Sequence, residues 1–180
     1  MKKSVIIAGV VSGLAIIICV MVVLFYCVLY PVKYKSVIEK YAQVFNIDPV
    51  LICAVINTES GFKKDAVSAV GAKGLMQIMP STAQEIATKL NVSNFNEEML
   101  FVPDVNIRFG CYYLKYLLTM YNQNIVNAVA AYNAGFNKVN EWLKVLEYTS
   151  GGSVVNPPIP ETKNYLKKVG SAIKIYKFRY

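Results

Sequence analysis

Histidine is absent from this 180-residue chain. Its absence excludes Ser-His and Cys-His nucleophilic chemistry and the His-based zinc motifs, each of which needs an imidazole as base or ligand. Cysteine is scarce too, with four in all. Cys19 and Cys27 fall in a long apolar run, which leaves Cys53 and Cys111, too few to staple a domain of this length. Both sit in apolar helical patterns and read as small buried hydrophobes, so they do not identify a redox compartment. Acidic residues are the rarer charge, 11 against 19 Lys and Arg, for a net +8. Catalysis in such a chain falls to carboxylates, and no metal or cofactor is expected. A solvated basic surface explains the charge; attraction to an anionic polymer or to a membrane face is the sharper reading. No nucleic-acid motif accompanies the charge, and no nucleic-acid partner is expected. Internal repeats and low-complexity tracts are also missing.

Apolar residues, by contrast, make up 55% of the chain, and part of that is local. Residues 5–30 carry no charge, and their length fits the roughly 20 residues that cross a bilayer as a helix. Lys2 and Lys3 precede the run; Lys33 and Lys35 follow it. A cleaved signal peptide is the alternative. The run exceeds the roughly 7–15 residues of such a core, however, and no small-x-small site follows it. Ile18 before Cys19 does not suit a lipid-attachment site. Residues 1–33 are therefore read as an uncleaved membrane anchor and residues 34–180 as one domain, large enough for its own core. The two flanks nearly balance in charge, with the N-terminal amine slightly favouring an inside N-terminus. With Lys2 and Lys3 set aside, the rest of the chain retains a charge of +6. Its basic-aromatic end, Lys174 to Tyr180, suits either a membrane contact or a helix terminus.

Beyond the anchor the periodicity is helical, and a mainly α domain is expected. Helices are predicted over 35–45, 49–59, 82–90, 105–121, 125–132, 138–146 and 161–177. Asp48 offers an N-cap with Pro49 at the first helical position, and Gly61 a stop. Ser81 with Gln84 fits a capping box. Short strands are expected at most near Phe101 or Val154.

The most informative stretch is Glu59-Ser60-Gly61-Phe62, followed by residues 71–80, GAKGLMQIMP. Ile52, Val55 and Ile56 lie seven, four and three positions before Glu59, so the carboxylate leaves the core side of its helix. Burial disfavours its charged form and holds it partly protonated at neutral pH, as a general acid requires. A simple ion pair with Lys63 is the structural alternative, against which Gly61 should redirect the chain. Gly71 and Gly74 bracket a turn, Gln77 supplies an amide donor and acceptor, and residues 130–135, AAYNAG, set a phenol and an amide at a helix end.

Four blocks together resemble the soluble lytic transglycosylase domain, a lysozyme-like glycosidase family acting on bacterial peptidoglycan. They are ESGF with Ala66-Val67-Ser68, residues 71–83, residues 131–135 (AYNAG) and residues 159–165 (IPETKNY); Asn106, Gly110, Tyr113 and Leu114 add to them. The match covers nearly the whole domain, and Lys163 is a mild departure where arginine is common. The resemblance implies a lysozyme-like helical fold with Glu59 as catalytic acid/base. It implies sugar contacts from Ser68 and Gln77, and Tyr132 orienting the reacting groups. Met79, Asn133, Glu161 and Tyr165 complete the substrate-binding set it suggests. Expected partners are peptidoglycan glycan strands and, through the anchor, the cytoplasmic membrane; cell-wall or secretion machinery is a further candidate. Such an activity would put the domain on the extracytoplasmic side of a single-pass anchor. The resemblance implies cleavage of the β-1,4 bond between N-acetylmuramic acid and N-acetylglucosamine with formation of 1,6-anhydromuramic acid; a muramidase hydrolysing the same bond is the nearest rival. It would need a second carboxylate roughly 5–9.5 Å from the acid, with Asp65 and Glu161 as candidates. A non-catalytic wall-binding module is another, but it should have lost the acid, and Glu59 is present.

Overall fold

The computed structural model describes the backbone of residues 2–180 and the side chains of residues 11–180. Lys2, Lys3 and the N-terminal amine, which bear on the orientation of the anchor, lie outside the described side chains. Helix α1, Lys2–Leu29, runs through the apolar stretch. Its window Val11–Leu29 is long and apolar enough to cross a membrane, and none of that window is buried against the rest of the chain.

The domain is built from α2 (Lys35–Phe45), α3 (Pro49–Ser60), α4 (Pro80–Lys89), α5 (Pro103–Met120), α6 (Ile125–Ala134), α7 (Phe136–Trp142) and α8 (Pro160–Arg179). The expectation of a mainly α domain holds. Helix α3 is its axis: Leu51 through Ile56 are all buried, the pattern of a helix apolar on every side. It packs most extensively on α8, while α5 joins α2 to α6. Helix α2 is amphipathic and buries only Ile38, Tyr41 and Ala42, at helical spacing. As expected, Asp48 caps α3 by accepting from Val50 N at 2.8 Å, with Pro49 at its first turn. Cys53 and Cys111 are free and buried.

Three expectations are corrected. Ser81 does not cap α4; the helix opens at Pro80 after Met79, with no side-chain cap. A proline at the first position has no N–H to satisfy and a preset φ, so the start moves ahead of the serine. The helix expected over 138–146 runs instead over Phe136–Trp142, followed by a 3₁₀ turn, Leu146–Tyr148. Phe101 ends a 3₁₀ helix, Glu97–Phe101, capped by Asn96 Oδ1 accepting from Glu98 N at 3.1 Å, rather than a strand. Near Val154 strands do form: β1 (Thr149–Ser150) and β2 (Ser153–Val154) pair antiparallel, Thr149 opposite Val154. Buried Asn127 pins this hairpin to α6, donating to Gly152 O at 2.8 Å and accepting from Val154 N at 2.9 Å.

Candidate active site

Glu59 sits one turn beyond Val55 and Ile56, both fully buried, at the end of α3. Gly61 and Phe62 then take consecutive left-handed φ values of 58° and 63° and swing the chain away from the helix axis. Phe62 folds back into the core at 2% exposure and seals the helix end. The Glu59 carboxyl is left half-buried. Among the described residues it forms no ion pair, with Lys63 or any other cation. Its partner is Tyr165 in α8, whose Oη donates to Glu59 Oε1 at 2.6 Å. Burial pushes the carboxyl up from 4.5 to about 7; the Tyr165 hydrogen bond works against that rise, and the nearby Glu161 charge adds to it. Burial first, and then the Glu59 charge, hold the phenols of Tyr165 and Tyr132 well above their ordinary range, so both remain protonated donors.

Residues 66–78 form a compact loop beside this end of α3, laced by the antiparallel bridges Val67↔Lys73 and Lys73↔Ile78. Three helices clamp it. Ser60 of α3 donates to Leu75 O at 2.7 Å, and Tyr132 of α6 donates to Met76 O at 2.9 Å. Asn106 of α5, fully buried, accepts from Met76 N at 2.7 Å and donates to Leu100 O at 2.8 Å and Lys73 O at 3.0 Å. Gly74 lies at φ 79°, and a Cβ there would overlap Asn106 Nδ2 and Leu100 O. Only glycine satisfies both the conformation and the close approach.

Gln77 and Ser68 brace the loop itself. Gln77 Nε2 donates to Gly74 O at 2.8 Å and Ala66 O at 3.1 Å, and Ser68 Oγ accepts from Ala72 N at 3.0 Å. The Gln77 carbonyl oxygen and the Ser68 hydroxyl proton are left without a partner among the described hydrogen bonds. Gln77, Met79, Thr82, Tyr113, Tyr132 and Asn133 line a cleft of about 250 Å³. Through Thr82 and Tyr113 it continues into a second depression of about 330 Å³, walled by Tyr112, Tyr116 and Phe136. Asn133 Oδ1 accepts from the buried Thr162 hydroxyl at 2.8 Å, which turns the amide's donors away from α8.

Glu59, Tyr165 and Glu161 are thus gathered at one end, and Gln77, Met79, Tyr132 and Asn133 along the cleft. Ser68 lies in the loop beside it and does not line it. Asp65 is not part of the assembly: it is exposed, 4.0 Å from Lys64, in a separate depression with Lys33 and Tyr34. The clamps Ser60 and Asn106 and the aromatics Tyr113, Tyr116 and Phe136 were given no role from the sequence. An asparagine among Ile107, Phe109 and Leu114 was the readable signal for Asn106, since a buried amide must find partners.

One half-buried carboxyl at a helix end, beside an elongated aromatic cleft in a helical domain, defines a lysozyme-like protein. Residues 36–150 match the family described as the transglycosylase SLT domain, and the chain belongs to that family. The soluble lytic murein transglycosylase of Salmonella typhimurium is 32% identical over 143 residues, 78% of this chain and 22% of that protein. The membrane-bound lytic murein transglycosylase C of Yersinia pestis is 32% identical over 167 residues, 81% of this chain and 47% of the relative. Among solved structures, an inactive glutamate-to-glutamine mutant of lytic transglycosylase Slt from Pseudomonas aeruginosa superposes with a TM-score of 0.79. It is 35% identical over 86% of this chain and 25% of its own. The chain therefore spans between about a fifth and a half of the length of these relatives.

Proposed function

We propose that this domain is a membrane-anchored lytic transglycosylase cleaving the β-1,4 bond between N-acetylmuramic acid and N-acetylglucosamine. The observation that carries the reading is the single half-buried carboxyl of Glu59, raised to about 7 and gripped by the Tyr165 phenol at 2.6 Å. Protonated Glu59 donates to the glycosidic oxygen as the C1–O bond breaks. The resulting carboxylate then takes the proton of the muramic C6 hydroxyl as that oxygen bonds to C1. A 1,6-anhydro ring closes and the acid is regenerated, so no second carboxylate and no water enter. Tyr165 and Tyr132 hold the reacting end. Gln77 offers a carbonyl acceptor, Asn133 amide donors and Ser68 a hydroxyl to the sugar. Met79 and the aromatic walls supply the apolar faces against which pyranose rings stack.

Glu161 favours a second reading. It is close enough to raise Glu59, and as a second carboxylate it would make the domain a muramidase. Mass spectrometry of fragments released from peptidoglycan in isotopically labelled water separates the two. Transglycosylation gives 1,6-anhydromuramic ends without the label, whereas labelled reducing ends would overturn the proposal in favour of hydrolysis. The substrate requires the domain to face the wall, with α1 in the cytoplasmic membrane.

A further inference from the structure

One face of α8 has no part in the site just described. Lys167, Lys168 and Ser171 border an open depression of about 470 Å³, lined also by Leu29 and Tyr30 of the anchor end and by Asn57 and Thr58. Further on, Lys174, Ile175, Phe178 and Arg179 form a second groove with Val22, Val23, Tyr26 and Cys27 of α1. These α8 positions recur at helical spacing on one face. As α8 advances, its neighbours on α1 step backwards from Tyr30 to Val22, so the two helices run antiparallel. Tyr176 Oη donates to Pro31 O at 2.9 Å and its ring stands edge-on to Tyr30 at 6.0 Å, fixing that alignment. Leu29 to Val22 is seven residues, so the end of α8 reaches roughly 10 Å down the side of the apolar helix at 1.5 Å per residue.

The chemistry of this end does not suit water alone. Phe178 is 93% exposed between basic neighbours. Arg179 donates to Cys27 Sγ at 3.5 Å, its Nε is buried without an acceptor, and no carboxylate pairs with it among the described residues. A guanidinium packed on an apolar helix with no carboxylate beside it fits a phosphate, to which its terminal N–H groups can donate. We infer that the last turns of α8 are a second membrane contact. Phe178 and Ile175 enter the lipid of the leaflet on the domain's side, and Lys174, Lys177 and Arg179 bind the phosphates of its headgroups, their stems lying along the apolar surface.

The inference rests on α1 spanning a bilayer, and the test reads both. The full chain is reconstituted in phosphatidylcholine–phosphatidylglycerol vesicles, with or without bromine on the upper acyl chains. Phe178→Trp reports the end of α8 and Val20→Trp the anchor, each after subtraction of the buried Trp142 signal of the parent. Bromine should extinguish most of the added emission at both positions. Lys174→Glu with Lys177→Glu should restore it at position 178 and leave position 20 quenched. Quenching at 20 but not at 178 overturns the inference and leaves the anchor standing. In that case, red-shifted emission at 178 means water, and blue-shifted emission means a protein partner such as a second copy. Absence of quenching at both overturns the membrane reading itself.

Discussion

In the proposed reaction Glu59 gives up a proton and takes one back within a single turnover, which is easiest for a group whose midpoint lies near the working pH. Replacing it with glutamine keeps the shape and the Tyr165 contact but removes the proton, so bond cleavage should fall by orders of magnitude while binding to the wall polymer persists. The same change has a signature in stability. Between about pH 4.5 and 7 the folded chain holds a proton at Glu59 that the unfolded chain has released, so parent stability declines as pH rises through that window. Glu59→Gln should equal the parent below the window and exceed it above pH 7 by up to about 3 kcal/mol, at ~1.4 kcal/mol per pH unit, in urea titrations. Tyr165→Phe acts in the opposite sense on the carboxyl. The phenol's hydrogen bond holds Glu59 down, so its loss should raise the carboxyl further and move the alkaline fall of kcat/KM to higher pH, with a smaller loss of rate than Glu59→Gln. The burial of Glu59 was legible because its helix neighbours three, four and seven positions back are apolar. Its contact with Tyr165 was not, because 106 positions separate the two and no local pattern reports the meeting.

The elements obey local rules wherever a local rule has no competitor. Helix α3 begins and ends where Asp48, Pro49 and Gly61 suggest, since nothing else contends for those backbone groups. The capping box at Ser81 loses to the proline before it, and the loop over residues 66–78 draws its order from side chains on α3, α5 and α6, which no window of sequence contains. Asn106 carries most of that order. Asn106→Leu is close in volume but strands one buried N–H and two carbonyls, and should cost about 2–4 kcal/mol in denaturant unfolding. The loss should come with faster proteolysis within 66–78, whereas Glu59→Gln should leave that loop intact.

Across the whole molecule, the apolar anchor and the helical core are separate bodies of hydrophobic surface. The described α1 side chains from Val11 to Leu29 are almost all exposed, while the core closes around α3 without them. Removing residues 1–30 should therefore yield a folded, soluble domain with helical circular dichroism. It should cleave peptidoglycan fragments in solution at close to the parental rate and lose its stable hold on vesicles, keeping at most a weak, salt-sensitive contact through the end of α8.

Helix α8 is a single unbroken rod whose first turns hold Tyr165 against Glu59 and whose last turns lie beside the anchor. From Tyr165 to Phe178 is thirteen residues, or roughly 20 Å of helix at 1.5 Å per residue. With α1 in a bilayer, that rod acts as a ruler. The Glu59 carboxyl can stand no further than this from the lipid surface, and its position does not drift as a flexible tether would allow. If the proposed function holds, only glycan strands passing through that shallow zone come within reach, so the innermost layer of the wall would be trimmed and the layers above it spared, whatever their chemistry.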